Sequence, residues 1–292
     1  MTKEAIDFDE IKRNRQLPSP TGVALNIMRM CRNENVSLID LAHQIQADPV
    51  LAGRLIKLAN AGGNRSVRPI VSISTEVLLL VGVHAVRQVA LGVSLINSYQ
   101  GGACLAFDYH AFWARSLSMA CVAQAIGQQV QIAPSAELFT CGLLAGIGQL
   151  GLAVARPLAY AEILIQHRGA PGQDLRHSER ERFTYDQVEL SVAMLRDWHI
   201  PALFVDAVRF HQEPQLSGWD THTRRQRLTY LLHLAAQAAV VDITNESEQE
   251  ALLPAWSAQL ELLDLAPEQG VEIIAQAVHE LIEWRQMQRF SS

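Results

Sequence analysis

The most legible chemical signature in this 292-residue chain is GIGQLG, residues 146–151, a literal G-x-G-x-x-G. Such a run cradles a pyrophosphate when a strand precedes it, a helix follows, and an acid about 20 residues on holds the ribose. Leu138 to Ala145 could be bent into that strand, and Asp174 is an imperfect acid. The rest of the chain lacks strand–helix alternation, so dinucleotide binding stands only as an alternative. Metal chemistry is thinner still. The ten histidines, His110 and His233 among them, form no HxH or HExxH arrangement, the spacings that aim two imidazoles at one cation. Cys31, Cys104, Cys121 and Cys141 never form a CxxC pair and have mostly apolar neighbours. They read as reduced core thiols in a reducing compartment. Arg115 is the odd charge. Helical spacing aligns it with Met119, Val122 and Ile126, so it is expected to face the interior, where a guanidinium needs a partner.

The elements that must position these residues are helices. Ser37 with Asp40 forms an S-x-x-D cap ahead of Leu41 and Ile45, and Asp48-Pro49 is an N-cap and N1 pair opening a helix through Leu51, Leu55 and Leu58. Gly62 and Gly63 end it, and a loop with Arg65, Arg68 and Pro69 follows. Helical periodicity then predicts Ser74–Val81 and His84–Ser98, and Asp108 caps a helix over Tyr109–Gln128. Further helices are expected over Leu158–His167, Thr184–Trp198, Pro201–Phe210, Arg224–Val241 and Glu268–Gln288. No period-two segment and no NG or DG turn appears, so the fold class is all-α.

Leu138 to Ala155 has Thr140 and Gln149 as its only polar side chains. It is at the short end for a membrane span and is diluted by glycine, so it reads as one central core helix and no membrane span is expected. Gly142 and Gly146, four apart, are expected to let another helix approach closely, and Trp113 and Trp198 to be core. The N-terminus lacks the apolar stretch of a secretory signal, which makes a cytoplasmic location the expectation. A net charge of −6 gives no general attraction to nucleic acid. Arg176, Arg180 and Arg182, and Arg224, Arg225 and Arg227, form two local basic clusters with Glu179, Glu181 and Asp220 nearby. They read as solvated surface.

Several blocks in order carry a resemblance. They are Leu17-Pro18, DPVLAGRLIKLANA from Asp48 to Ala61, VSISTEVLLLVGVHAVRQVAL from Val71 to Leu91, GLLAGIGQLGL from Gly142 to Leu152, and WHIPALFVDAVRFHQEP from Trp198 to Pro214. Over residues 16–241 the chain resembles the HDOD family, the HD-related output domains. It departs from the family pattern at Glu76-Val77, near a usual alanine, and at AGG after Asn60, where serine is common. The related HD enzymes bind metal through histidines and aspartates, and metal-activated water attacks a phosphoester. At the position of the first histidine this chain reads Trp113-Ala114-Arg115-Ser116, and Ala145-Gly146 occupy the HD pair. Tyr185 follows Thr184 where a histidine is usual, His211-Gln212 replace an HH pair, and Leu234-Ala235-Ala236 replace the stretch with the closing aspartate. One plausible ligand, His211, remains.

The resemblance therefore implies a non-catalytic signal-transduction module with no metal and no cofactor, working through protein–protein binding. Its partners would be bacterial signalling proteins, of the two-component or cyclic-dinucleotide kind, with no nucleic acid. A metal-dependent phosphohydrolase with an unconventional site is the other reading. Arg115, Tyr185, His211 and Gln212 would line the remnant of the metal pocket and suit an anion, unless Arg115 is a paired core residue. The expected organisation is a tail over 1–15, an N-terminal helical bundle over 16–105, an HD-like helical half over 106–241, and a helical extension over 242–292 packing on that half.

Overall fold

The computed structural model describes residues 7–31, 36–61, 70–168, 172–239, 254 and 256–277. Among these every regular element is helical: α1 (Phe8–Arg13), α2 (Gly22–Met30), α3 (Leu38–Gln46), α4 (Pro49–Ala61), α5 (Thr75–Val81), α6 (Val83–Ser98), α7 (Tyr109–Val130), α8 (Ser135–Leu144), α9 (Ile147–Ala155), α10 (Pro157–Gln166), α11 (Gly172–Phe183), α12 (Gln187–Asp197), α13 (Ala202–Phe210) and α14 (Arg224–Ala238). A single 3-10 turn, Pro214–Ser217, follows α13. Residues 256–261 and 267–277 are also helical. The expected stop at Gly62-Gly63, the loop with Arg65, Arg68 and Pro69, and the last helix beyond 277 lie outside the described residues.

Caps explain most helix starts. The Ser37 side chain accepts from the Asp40 amide, Asp48 from Val50 and Leu51, and Asp108 from Ala111, each satisfying a donor the first turn leaves orphaned. Asp186 and Glu189 form a full capping box at α12. Helices α2 to α6 pack on one another, α7 to α14 do likewise, and α4 and α6 meet α8. One apolar core runs throughout, from Ile11 to Ala277. Trp113 and Trp198 are both buried in it.

Four differences from the sequence reading have physical causes. The tail over 1–15 contains α1, which buries Ile11 and pairs Lys12 with Asp197 on α12. The apolar stretch over Leu138–Ala155 is two helices, not one, broken by a turn at Ala145-Gly146. The span Ser135–Ala155 has the length and composition to cross a membrane, yet 83% of its apolar window is buried within the protein. Of the two glycines expected at a close helix crossing, Gly142 lies against the α7 backbone, where a Cβ would sit 2.8 Å from the Ala120 Cα, whereas Gly146 has nothing nearer than Phe112 at 3.8 Å. The crossing on the other face uses Gly148, whose Cβ would overlap the Gln187 carbonyl oxygen. There the Gly148 amide donates to Ser191 Oγ at 2.8 Å, and Ser191 Oγ donates to the Gln187 carbonyl at 2.9 Å. The fourth is α11, an unforeseen helix that is polar nearly all round.

Candidate functional site

Taken one at a time, the residues at the HD positions sit on separate elements. Arg115 is exposed on α7, which corrects its expected interior placement, and it makes no hydrogen bond or ion pair with any described residue. The α7 helix is apolar on almost every face, so alignment with Met119, Val122 and Ile126 does not specify which way Arg115 points. A long stem lets the guanidinium reach water from a half-buried edge. Ala145 is buried and Gly146 half-buried in the α8–α9 turn, Tyr185 is half-buried just before α12, and Ala236 is half-buried on α14. Alanine and glycine side chains offer no donor atom, and a guanidinium is acceptor-free.

His211 caps α13 with its ring buried. Its Nδ1 donates to the Val208 carbonyl at 2.7 Å, while its own carbonyl accepts from Nδ1 of His233 at 2.6 Å. Burial pulls its pKa down to about 4, with the His233 and Arg176 charges adding to the effect and the Val208 bond opposing it. This imidazole is neutral near pH 7. Among the described residues no three His, Cys, Asp or Glu side chains converge as a cation site would need. Gln212 is exposed and accepts from Arg176 at 3.5 Å.

The structure does gather charge, but elsewhere. Asp186 is fully buried, and its Oδ1 accepts from the Val188 and Glu189 amides at 2.9 and 2.8 Å. Its Oδ2 takes Arg176 at 2.9 Å and Arg180 at 2.6 Å. Arg176 also reaches Glu213 at 2.8 Å, and Arg180 reaches Glu189 at 3.3 Å. A carboxylate with every lone pair engaged is affordable inside a protein. Beside it lies Glu179, fully buried, which accepts from Tyr160 Oη at 3.2 Å and from the Gln187 amide at 2.8 Å. Burial drives its pKa up to about 8, and the Gln187 bond only partly offsets this. The cluster read as solvated surface is thus a partly buried network, because α11 lays Arg176, Glu179 and Arg182 onto α10, α12 and the end of α13. The other cluster fits the surface reading better: Arg224 and Arg225 are exposed, with Arg225 paired to Asp206 and lying over Trp219.

A cavity of about 570 Å³ opens beside the buried network, walled by α11, α12 and the segment from α13 into the 3-10 turn. Tyr185 and Gln212 line it, but Arg115 and His211 do not. Of the four residues expected to share one anion pocket, the structure brings two together. The D-x-x-E spacing of Asp186 and Glu189 is a helix-start signal in the sequence, but nothing marked Glu179 or this cavity, since α11 carries no apolar stripe to reveal which of its charges turn inward.

Two of the three GIGQLG glycines, Gly148 and Gly151, serve packing. The element before the motif is α8, a helix, and Gly148 and Gly151 lie against Gln187, Leu190 and Met194 of α12. All four cysteines are free. Burial pushes Cys31 up to about 11 and Cys141 higher still, which suppresses thiolate chemistry at both.

Comparison with known proteins agrees with this architecture. The MmoQ response regulator of Methylococcus capsulatus str. Bath is 37% identical, with 88% of this chain and 97% of that chain covered and a TM-score of 0.54. An HDOD domain protein of unknown function from Geobacter sulfurreducens is 18% identical, with 92% and 91% covered and a TM-score of 0.63. A protein of Shewanella amazonensis SB2B, provisionally named a phosphohydrolase, is 19% identical, with 91% and 93% covered and a TM-score of 0.65. The last two likenesses speak to fold alone. No curated protein matches the chain. The HDOD domain profile matches residues 17–214, more than half the chain in a single block, and the protein belongs to the HDOD family.

Proposed function

We propose that this protein is a non-catalytic signal-transduction module of the bacterial cytoplasm, an HD-type helical scaffold that has lost its metal ligands and acts by binding a signalling partner. The observation that carries the reading is the chemistry at the HD positions. Arg115, Ala145, Gly146, Tyr185 and Ala236 supply no imidazole or carboxylate, and the one remaining imidazole, His211, is buried against the Val208 carbonyl. A lone neutral histidine does not hold a catalytic cation. The 37% identical relative being a response regulator supports a signalling role, with two-component or cyclic-dinucleotide proteins as the partners to look for. In this reading residues 16–105 form a bundle that presents a surface, and residues 106–241 the HD-like half it rests on.

The test is elemental analysis of the purified full chain beside an assay for phosphoester hydrolysis, with affinity purification from native cells and mass spectrometry. We expect less than stoichiometric transition metal, no hydrolysis, and recovery of signalling proteins. One metal per chain that is lost in His211→Ala, together with hydrolysis, would overturn the reading.

A further inference from the structure

The cavity beside the Asp186 network has features of a ligand site that packing alone does not require. Its volume of about 570 Å³ falls in the range of roughly 300–1,000 Å³ typical of small-molecule pockets. Four arginines line it: Arg176 and Arg180 from α11, Arg196 from α12 and Arg209 from α13. They fall into two pairs. Arg176 and Arg180 are held by Asp186, Glu189 and Glu213, so the carboxylates in and beneath the wall are already engaged. Arg196 and Arg209 are exposed and make no ion pair or hydrogen bond with any described residue. Each adds an exposed positive charge to the lining, one from α12 and one from α13, two helices that pack on each other.

The rest of the lining is mixed: Thr184, Tyr185 and Gln212 are polar and Glu189 and Glu213 are the carboxylates already engaged, but five side chains form an apolar stretch. Val188, Val192 and Ala193 follow one another along α12, facing Phe210 and Leu216. Phe210 is itself braced edge-on by Trp219, with ring centroids 5.1 Å apart. An anion-free hydrophobe would leave both guanidiniums unused, and a bare inorganic anion would leave the trough unused. A ligand that satisfies both parts carries a phosphate at one end and a flat, weakly polar ring system at the other. A volume of about 570 Å³ matches a small molecule of nucleotide size.

We propose that this cavity binds a nucleotide-like ligand, with its phosphate engaged by Arg196 and Arg209 and its ring against Val188, Val192 and Phe210. The proposal deepens the regulatory reading by naming an input, and it rests on Arg196, Arg209 and the apolar stretch, although Tyr185 and Gln212 of the HD positions also line the cavity. Failure to bind would leave the regulatory reading intact, while metal-dependent hydrolysis would remove that reading and leave the roles of Arg196 and Arg209 to be tested separately.

The experiment is isothermal titration calorimetry of the full chain at low salt. The probes are the four nucleoside 5′-monophosphates, the four unphosphorylated nucleosides and inorganic phosphate. At least one monophosphate should bind about tenfold or more tighter than its nucleoside and than phosphate. Both Arg196→Gln and Arg209→Gln should weaken that binding about tenfold or more, the loss expected for a charge-assisted hydrogen bond. Because both side chains are exposed, the variants should melt with the wild type. Ala193→Trp, at a half-buried position of the same wall, should weaken the monophosphate and leave inorganic phosphate unaffected. No measurable binding of any monophosphate, or binding that both arginine variants retain, would overturn the proposal. Equal affinity for phosphate and every monophosphate would overturn the nucleotide-like class.

Discussion

Tyr160 Oη donates to Oε1 of Glu179 at 3.2 Å inside a region where both side chains are fully buried. The phenol is pushed well above its ordinary value, first by burial and then by the Glu179 charge, and the Arg115 charge opposes that shift. Glu179 therefore makes ionisation of the phenol harder, whereas the Tyr160 hydrogen bond favours the ionised carboxylate and opposes the effect of burial on Glu179. Tyr160 also contacts Phe107 and Phe183 through its ring, so this polar pair is set within an aromatic core.

A pH dependence follows from Glu179. Its pKa rises from an ordinary 4.5 to about 8 on folding, so between those values the folded state holds a proton that the unfolded state releases. Stability from this group is greatest below about pH 4.5 and falls as pH rises toward 8, where both states are ionised. Glu179→Gln removes the titration at a pH-independent cost of about 1–3 kcal/mol, because one donor loses its acceptor. Urea melts of wild type and variant across this range should converge, or cross, as pH rises. Parallel curves would mean that Glu179 is ionised throughout.

Much of the fold was legible because caps and apolar periodicity agree along the chain. Ser37, Asp48 and Asp108 start helices where their side chains accept first-turn amides. The site was less legible, for two reasons. Glu179 sits in SERER, a run whose composition reads as solvent-facing, and only the packing of α11 buries it. Arg115 lies on a helix buried nearly all round, where any residue aligns with some apolar stripe. The break at Ala145-Gly146 was hidden in the same way, with apolar residues on both sides. The HD positions were readable as residue types, but not as places in space.

His211 predicts the opposite slope on the acid side. Its pKa falls from 6.5 to about 4 on folding, so below 6.5 the unfolded chain takes up a proton that the folded one refuses. The stability contribution is whole above about 6.5 and is lost progressively as pH drops toward 4. His211→Asn keeps a donor for the Val208 carbonyl and should flatten the difference in that window. The imidazole C2 proton resonance of His211 should titrate near pH 4. A midpoint near 6.5 would contradict the burial argument.

Gly148→Ala tests the α9–α12 crossing. The new methyl would overlap the Gln187 carbonyl and lie 2.7 Å from the Ser191 amide nitrogen, both backbone atoms that cannot rotate away. Overpacking of this kind costs about 1–3 kcal/mol or more. Gly146→Ala, two residues earlier in the same motif, meets nothing nearer than 3.8 Å and should be close to neutral. Chemical denaturation of the two variants should separate them clearly. Equal losses would point to a shared requirement of the GIGQLG motif other than packing.

Arg87 gives the last test, of how the first helices are tied to the later ones. It is a buried residue of α6, and its Nη2 donates to the Trp198 and His199 carbonyls just past the end of α12. Those carbonyls belong to a helix terminus whose dipole favours a cation, and His199 adopts a left-handed φ of 59° that turns the chain there. Arg87 so joins the α2–α6 layer to the α12–α13 corner. Arg87→Met keeps much of the apolar stem while removing charge and donors. The loss should be about 1.5–3 kcal/mol, as for hydrogen bonds to a charged group. Hydrogen exchange should localise it, with amides of α6 and of residues 198–205 exchanging faster while α14 is unchanged. A variant as stable as wild type would mean that solvent replaces the guanidinium at no cost, and that the apolar contacts of α4 and α6 with α8 hold the layers together alone.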